Sequence, residues 1–176
     1  EPAAGAIERF DDLDEMGWVP EWSPAPLPSA QSRIDRWVVV GGADAAELAG
    51  ELRRRGRTVT HVARFGADDV AVAGDDDVDA VGVVVVGDSL RFDDAVGRWL
   101  DDAPNAARWL GGVARTGRLV AVTRGALGVA APAVSPADAL ALGVVLVAPG
   151  EYASIETALV DRDPVRPTAM AALADE

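Results

Sequence analysis

Residues 37–52, WVVVGGADAAELAGEL, decide the fold class, because they change from a strand pattern to a helix pattern within one turn. The run from Trp37 to Val40 is short, β-branched and followed by two glycines, which is typical of a buried strand. From Ala45 to Leu52 the apolar residues recur at positions i, i+3, i+4 and i+7, which predicts one face of a helix. This stretch is therefore predicted to form a strand, a tight turn and a helix.

The start and the end of this first helix carry their own signals. Asp44 stands at a capping position and Glu47 follows three residues later, which predicts a capping box. Gly56 is expected to end the helix, since glycine readily takes the left-handed conformation that follows a last helical turn.

Strand patterns recur along the chain, with helical patterns between them. An order of this kind predicts a Rossmann-like, mostly parallel sheet with helices on both faces and right-handed crossovers. The fold is expected to be truncated or degenerate, with an extended N-terminal arm. Beyond residues 37–40, strands are predicted at residues 58–63, 81–86, 118–123 and 155–161, and one helical turn at residues 68–73.

Two longer helical segments follow the third and the fourth predicted strands. Helical spacing extends from Phe92 to Leu110, with Pro104 inside it, which predicts a kink or a split into two helices. Gly117 is expected to close that segment. The second helix is predicted to begin at the Ser135 cap and to end before Pro149.

The chain divides into an arm, a domain and a tail. Residues 1–35 form the arm, residues 36–162 the pseudo-Rossmann α/β domain, and residues 163–176 a C-terminal tail or linker. Prolines at alternate positions after residue 23 favour an extended path for the arm. The side chains on one side of such an extended chain are expected to contact a partner surface, and they are Trp18, Pro20 and Trp22.

Composition removes most of the chemistry that a nucleotide-binding enzyme needs. The chain has 176 residues, and all 16 of its basic residues are Arg, with no Lys and no Cys. His61 and Tyr152 are the only residues of their types. A Tyr/Lys reductase pair, a phosphate-binding Lys, a Cys nucleophile and a Cys-ligated metal site are therefore excluded.

Charge and cysteine content limit the partners. The formal net charge is −13, so the chain repels phosphate backbones, and neither a nucleic acid nor a membrane surface is expected as a partner. No signal peptide or membrane-spanning run is apparent, and the lack of cysteine fits a reducing cytoplasm. Because the chain begins at Glu1 rather than Met, we expect it to be a piece of a longer protein.

The predicted turn after the first strand does not match a dinucleotide site. Gly41 and Gly42 permit a tight turn, but the third glycine of the G-x-G-x-x-G pattern is absent. Asp44 and Glu47 are predicted to lie where a pyrophosphate would bind, and two carboxylates there oppose it. Arg124, at the end of the fourth predicted strand, is placed to bind an anion in the crevice, although a structural role is expected.

Other chemical candidates are interpreted as structural. The acids from Asp75 to Asp79 lack the alternation, the glycine and the closing Glu of a calcium loop, so a solvated loop is expected. His61 has no second His or Cys to share a metal, and it is interpreted as a packed residue. No catalytic, cofactor-binding or metal-ligating residue is therefore predicted in this chain.

Three stretches together resemble one known family. Residues 118–126, RLVAVTRGA, resemble the LWVVTRGA segment of polyketide synthase ketoreductases. Residues 136–143, followed by residues 149–155 and 159–161, resemble the helix and the last strand that follow it there. Residues 16–20, with Pro24 and Pro26, resemble the Y-x-x-x-W-x-P entry strand that precedes it. These stretches occur in the order of that family and span almost the whole chain.

The resemblance implies a supporting role. The matched region is similar to the structural half of a ketoreductase, a degenerate Rossmann-like subdomain that holds no cofactor and supports a catalytic half. NADPH would bind to that catalytic half, which carries the Ser, Tyr, Lys and Asn groups for reduction of β-ketoacyl intermediates. No activity is expected from this chain alone. The implied partner is the catalytic subdomain after Glu176, or another domain of the same multienzyme, such as a methyltransferase or an inserted domain.

Two functions of other classes stay open from the residues alone. One is a small-ligand-binding α/β module that uses the crevice between Gly41 and Arg124. The other is a self-associating interaction domain. A thermal shift induced by a ligand would support the first, and a mass that depends on concentration would support the second.

Overall fold

The computed structural model describes residues 34–66, 78–87, 92–127 and 135–162, together with Ala174. The predicted arm with Trp18, Pro20 and Trp22, the helical turn at residues 68–73 and the acidic loop from Asp75 to Asp77 lie outside the described residues. The predicted tail lies outside them as well, apart from Ala174.

The described strands form a single five-stranded sheet in which every pairing is parallel. Their spatial order is β2-β1-β3-β4-β5, so β1 lies between β2 and β3. The predicted α/β class with a parallel sheet is confirmed, and the third and fourth strands are longer than predicted. The strands are β1 Arg36–Val40, β2 Thr58–Val62, β3 Val78–Val86, β4 Ala114–Arg124 and β5 Ile155–Arg162.

Helices cover both faces of this sheet. The first helix, α1, packs on β2 and β1 on one face, and the other helices pack on the opposite face. Among the described residues no helix is long and apolar enough to cross a bilayer. The helices are α1 Ala43–Arg54, α2 Phe92–Gly97, α3 Ala103–Val113 and α4 Pro136–Glu151, with a π-helical turn, Arg98–Asp102, that joins α2 to α3.

Each face of the sheet has its own core. On the α1 side, Val39, Val84 and Val86 of the sheet pack against Leu48 and Leu52 of α1. On the other side the core is larger and contains the indole of the fully buried Trp99. The valine run in β3 contributes to both cores, since successive side chains of a strand point to opposite faces.

The Trp37 side chain covers part of the sheet on the side of α1. A Cβ at Gly82 would lie 2.3 Å from the Trp37 ring, so only a glycine in β3 lets the indole lie flat on the sheet. The indole Nε1 donates a hydrogen bond to the Ile34 carbonyl at 3.0 Å, which satisfies its polar group. Gly82 in β3 thus provides the space that the Trp37 ring of the neighbouring strand β1 requires.

The helix between β3 and β4 is interrupted next to Pro104, as predicted, and the interruption is a π-helical turn. Proline lacks the N–H that an α-helix needs, and a wider turn before it accommodates the lost hydrogen bond. The prediction that Gly117 closes this segment is wrong. The helix ends at Val113, β4 begins at once with Ala114, and Gly117 lies inside β4 with Leu110 against it.

The helix α4 begins as predicted and ends later than predicted. The Ser135 hydroxyl accepts from the Asp138 N–H at 3.3 Å, which confirms the cap. Pro149 does not end the helix, because it lies in its last turn and Glu151 is still helical. Pro149 cannot donate to the carbonyl four residues earlier, and the Thr157 hydroxyl of β5 donates to that carbonyl, of Val145, at 2.8 Å.

The predicted capping box of α1 is wrong. Gly42 takes the capping position, and no side chain among the described residues accepts from the first turn. Glu47 is exposed, and Asp44 lies within the first turn of the helix. The Asp44 carboxylate does not cap the helix, because it forms an ion pair with Arg162 at the end of β5.

Candidate functional site at the carboxyl edge of the sheet

A ligand site in this fold is expected where the strand order reverses. The chain passes from β1 to β2 on one side, and β3 continues the sheet on the other side of β1. In open parallel sheets, ligands bind beyond the carboxyl ends of the strands at such a point. Here that place is bordered by Gly41 after β1 and by Gly87 after β3.

The Gly41 turn is shaped by the packing of the chain. Gly41 has a φ of +149°, and a Cβ at this position would lie 2.7 Å from the Ala45 Cβ. Its N–H donates to the Val62 carbonyl at 3.0 Å, and its carbonyl lies 3.0 Å from His61 Nε2. Glycine is required here for close packing between strand and helix, and both backbone polar groups already have partners in β2.

The position of a nucleotide phosphate is taken by an internal ion pair. Arg162, at the end of β5, donates from Nη2 to Asp44 Oδ2 at 2.7 Å, and the Arg162 side chain is 8% exposed. The carboxylate of Asp44 lies in the first turn of α1, where the helix dipole favours a negative charge. The chain therefore places its own anion between a guanidinium and a helix N-terminus.

Trp99 fills the space beyond the end of β3. Its indole Nε1 donates to Asp138 Oδ1 at 2.9 Å, and both side chains are buried. A Cβ at Gly87 would lie 2.8 Å from that carboxylate and 2.9 Å from the indole. Gly87 thus allows the two side chains to approach the backbone, and the Asp138 carboxylate is engaged in holding α4 on the π-helical turn.

Asp161 organises the loop that follows β4. Its carboxylate accepts from the Thr123 hydroxyl at 2.8 Å and from the Ala126 and Leu127 N–H groups at 2.9 Å each. The loop turns at Gly125, whose φ is +74°. One carboxylate of β5 therefore binds both the end of β4 and the residues after the Gly125 turn.

The other candidates from the sequence lie apart from one another. Arg124 is half-buried at the end of β4 and stands opposite Arg162 in the β4–β5 ladder. His61 lies in β2, at the far side of β1 from β4. Tyr152 packs its ring over Gly111 of α3, where a Cβ would lie 2.4 Å from the ring. These side chains do not form a catalytic group.

A buried charge cluster ties the segment after β2 to the π-helical turn. The Asp102 carboxylate accepts from Arg64 Nε at 2.9 Å, from Arg98 Nη1 at 3.1 Å and from the Phe65 N–H at 3.2 Å. Arg98 Nη1 also donates to the Ala63 carbonyl at 2.6 Å. Because the buried Asp102 carboxylate accepts from both arginines and from the Phe65 N–H, this cluster holds the two chain segments together.

No group of three or more His, Cys, Asp or Glu side chains that could hold a metal occurs among the described residues. At the carboxyl edge the carboxylates that the structure describes have hydrogen-bond partners within the chain, and the tryptophan fills the cleft beside them. The described carboxylates of this edge thus make structural contacts within the chain.

A different surface has the character of a binding site. It lies on the helices α2, α3 and α4 and the π-helical turn, which contact one another on the face of the sheet opposite α1. Leu146 is 70% exposed, Phe92 63% and Leu100 58%. Every exposed large hydrophobic side chain among the described residues lies on these helices. We call this surface the outer helix face, and it consists of Phe92, Leu100, Val113, Leu140, Leu142, Leu146 and Val147.

The sequence of α4 accounts for much of this surface. Between Asp138 and Glu151 the helix carries no charged residue. Its inner side, with Ala141 and Ala148, is buried in the core, yet its outer side is equally apolar. A helix that is apolar on all sides is normally buried on all sides. The outer side of α4 is therefore a surface suited to contact with another protein element.

Comparison with protein families, with curated proteins and with solved structures gives no match.

The sequence predicted the crevice at the carboxyl edge of the sheet, but it did not predict the side-chain contacts found there. The absent third glycine and the acids of the first turn indicated that the place of the pyrophosphate is unsuitable, and Asp44 is found there. The ion pair with Arg162 joins residues that are 118 positions apart, and no local pattern shows it. The outer helix face was detectable in principle, because α4 lacks the polar stripe of a solvated helix.

Proposed function

We propose that this chain is the non-catalytic structural subdomain of a polyketide synthase ketoreductase region. In this proposal it supports and organises an adjacent NADPH-dependent catalytic subdomain that reduces β-ketoacyl intermediates. The observation that carries the proposal is the outer helix face. Large apolar side chains exposed on α2, α3, α4 and the π-helical turn suit an obligate contact with a neighbouring domain.

Docking on this face would stabilise both partners. Removal of apolar surface from water contributes about 25 cal/mol for each Å² buried, before the cost of association. When the partner is joined by the chain, much of that association cost is avoided, because the effective concentration is high. The packed helices of the outer helix face then restrain the elements of the catalytic subdomain that contact them.

The lack of catalysis in this chain has support from the carboxyl edge. The ion pair between Asp44 and Arg162 takes the position of a cofactor phosphate, and Trp99 fills the neighbouring space. The chain also contains no Lys, which is a member of the reductase group in the implied family. The cofactor of the proposed unit is therefore assigned to the catalytic subdomain.

The resemblance to ketoreductases has support from one contact. The stretch RLVAVTRGA and the later Leu-Val-Asp strand carry the resemblance, and they are adjacent strands, β4 and β5. Asp161 of the second stretch accepts hydrogen bonds from Thr123 and Ala126 of the first. The two stretches thus act as one structural unit, which fits their joint occurrence in a scaffold subdomain.

The test compares melting temperatures of the chain alone and of the chain joined to the catalytic subdomain of its synthase. We expect Leu146→Asp to lower the melting temperature of the joined unit while leaving the isolated chain unchanged, since Leu146 is 70% exposed in the chain alone. The matched control is Ala46→Asp, at an exposed position of α1 on the other face. An equal response of the joined unit to both variants would contradict the proposal.

Self-association is the second candidate, because the same apolar face suits a second copy of the chain. In that case the mass of the isolated chain, measured by analytical ultracentrifugation, rises with concentration, and Leu146→Asp abolishes the rise. A concentration-independent monomer whose melting temperature rises on joining to the catalytic subdomain favours the first proposal.

A further inference from the structure

The outward side of α4 carries a row of small side chains. Successive helical residues are about 100° apart around the axis, so the buried Ala137, Ala141 and Ala148 define the inner side of α4. Four residues lie within about 40° of the opposite direction, and three of them are exposed while Ala139 is half-buried. We call this row the α4 seam, and it consists of Ala139, Gly143, Leu146 and Gly150.

The α4 seam has the spacing of a helix that packs on a second helix. Its members are separated by four, three and four positions, which is the a/d spacing of paired helices. Leu142 and Val147 are also exposed, and they lie about 70° to either side of the middle of the seam. The seam is therefore a shallow groove between aliphatic walls, with Leu146 as its one large side chain.

The two glycines of the seam face open space. A Cβ at Gly143 or at Gly150 would have no heavy atom within 4 Å, so neither glycine makes room for a described side chain of this chain. Glycine also lowers the stability of a helix relative to alanine. What a glycine on a helix surface permits is the close approach of another backbone. The seam thus suits a second helix near the short end of the usual interaxial range of about 8–10 Å.

We propose that a single α-helix of the partner domain packs along the α4 seam, with its large aliphatic side chains against Gly143 and Gly150. This inference rests on the proposed function, because it names the partner element that contacts the outer helix face. From Ala139 to Gly150 the helix α4 has no polar side chain. A strand or a loop docked there would leave backbone N–H and C=O groups unpaired, whereas a helix bonds its own.

The charges around the outer helix face indicate which charge the partner helix carries. Asp93 and Asp94 lie in the first turn of α2, which begins at the carboxyl edge as α4 does and contacts α4. The partner helix is therefore expected to carry Arg or Lys at the end that lies beside Ala139. The exposed charged residues of α2, α3, α4 and the π-helical turn are four acids and one base: Asp93, Asp94, Asp101, Glu151 and Arg108.

The same charges oppose a second copy of the chain as the occupant of the seam. The formal net charge is −13, so two copies repel each other. Contact between two outer helix faces would also bring mostly acidic residues towards one another. A basic partner helix removes this repulsion and gains attraction.

The test is a titration of this chain with the catalytic subdomain that the proposed function assigns as its partner. Gly143→Leu should weaken binding by at least about tenfold, because the added side chain holds the two helices apart. Gly112→Leu is the matched control, since Gly112 is exposed on α3 and a Cβ there also meets open space. It should leave the affinity unchanged. Each leucine replaces an exposed helix glycine, and thermal unfolding of the isolated variants verifies that both fold.

The charge of the partner helix is tested in the same titration. The double variant Asp93→Asn with Asp94→Asn should weaken binding and reduce the dependence of the affinity on sodium chloride. Glu47→Gln, at an exposed position of α1 on the other face, should leave both quantities unchanged. A double variant that binds as tightly as the unaltered chain, with the same salt dependence, would overturn the basic character of the partner helix.

Failure of this inference and failure of the proposed function give different results. Absence of binding by the unaltered chain overturns the proposed function, and the inference with it. Binding that Leu146→Asp weakens and Gly143→Leu does not overturns the helix in the seam alone. Equal weakening by Gly143→Leu and Gly112→Leu does the same, because it spreads the contact over α3 and α4.

Two further results would assign the seam to another occupant and overturn the proposal. One is a concentration-dependent mass of the isolated chain that Gly143→Leu abolishes, which assigns the seam to a second copy. The other uses the absence of cysteine, since Gly143→Cys then provides a single thiol. If that thiol in the isolated chain reacts with a maleimide at least about tenfold more slowly than Ala46→Cys, another segment of this chain occupies the seam. We expect equal rates.

Discussion

At the scale of single residues, the carboxyl edge is held by carboxylates that have specific partners. Asp44, Asp138 and Asp161 each receive hydrogen bonds from a different element of the chain. In an enzyme of this architecture, this edge would present groups to a ligand. Here Asp44 joins α1 to β5, Asp138 joins α4 to the π-helical turn, and Asp161 joins β5 to the loop after β4.

The ion pair between Asp44 and Arg162 should contribute measurably to stability. Asp44→Ala leaves the guanidinium of Arg162 buried without that partner, and we expect a loss of roughly 1–3 kcal/mol. The carboxylate is partly exposed, which limits the loss. Glu47→Ala, at an exposed position of the same helix, should change stability by less than about 0.5 kcal/mol. Urea unfolding of the two variants measures the difference, and equal losses would show that the pair is unimportant.

Substitution of Asp161 is expected to destabilise the fold more than substitution of a residue that donates a hydrogen bond to it. Asp161→Asn retains one acceptor oxygen where the carboxylate serves three donors, so a loop N–H loses its partner. We expect a loss of roughly 1–3 kcal/mol, against about 1 kcal/mol for Thr123→Val, which removes a single donor. Thermal or urea unfolding tests this order, and a larger loss for Thr123→Val would contradict it.

Sequence reasoning at this scale succeeded where the signal was local. The Ser135 cap was confirmed, since its hydroxyl accepts from the Asp138 N–H, whereas the absence of a nucleotide site stays a prediction. The capping box of Asp44 failed because a distant arginine competes for the carboxylate. That competition depends on the end of β5 reaching the start of α1, which only the folded sheet determines.

At the scale of elements, the strands were predictable and the helix ends were less so. Runs of valine identify strands that are buried on both faces, and the alternating strands and helices predicted the parallel sheet. Gly117 was misjudged because a glycine after a helical pattern resembles a helix end, whereas here it lies inside β4 against Leu110. Pro149 was misjudged because Thr157, from another element, satisfies the carbonyl that proline leaves free.

Two helix glycines offer a test of the outer helix face. A Cβ at Gly143 in α4 or at Gly50 in α1 would have no heavy atom within 4 Å. Replacement by Ala should therefore stabilise the isolated chain by about 0.5–1 kcal/mol in both cases, through helix propensity. We expect Gly50→Ala to retain that gain in the unit joined to the catalytic subdomain.

Gly143→Ala should lose the gain in the joined unit. Gly143 is exposed on α4 beside Leu142 and Leu146, and a partner helix that packs closely there has no room for an added methyl. Thermal unfolding of the four proteins, each variant alone and joined, measures the difference. An equal gain in stability from Gly143→Ala and Gly50→Ala in the joined unit would contradict the docking account.

At the scale of the whole molecule, the carboxyl edge of the sheet and the outer helix face differ in chemical character. The carboxyl edge is internally satisfied in its described part, while the outer helix face exposes the large apolar side chains. The sequence predicted an interface but placed it on Trp18, Pro20 and Trp22, which lie outside the described residues. The contribution of those three residues stays a prediction.

The isolated chain should not bind NADPH. The carboxylate of Asp44 lies in the first turn of α1 and repels a phosphate, and the chain has no Lys to offset that charge. Titration calorimetry with NADPH should give no heat of binding to this chain, while the catalytic subdomain of the proposed unit, as the control, should bind the cofactor. Micromolar binding of NADPH to the isolated chain would contradict the non-catalytic role.

The most direct test of the docking claim is a titration of this chain with the catalytic subdomain that the proposed function assigns as its partner, produced separately. The account predicts saturable binding that Leu146→Asp weakens by at least about tenfold, equal to 1.4 kcal/mol, since a buried charge without a partner opposes docking. Ala46→Asp, on the opposite face, should leave the affinity unchanged. An absence of binding by the unaltered chain, or the same affinity for all three proteins, would contradict the account.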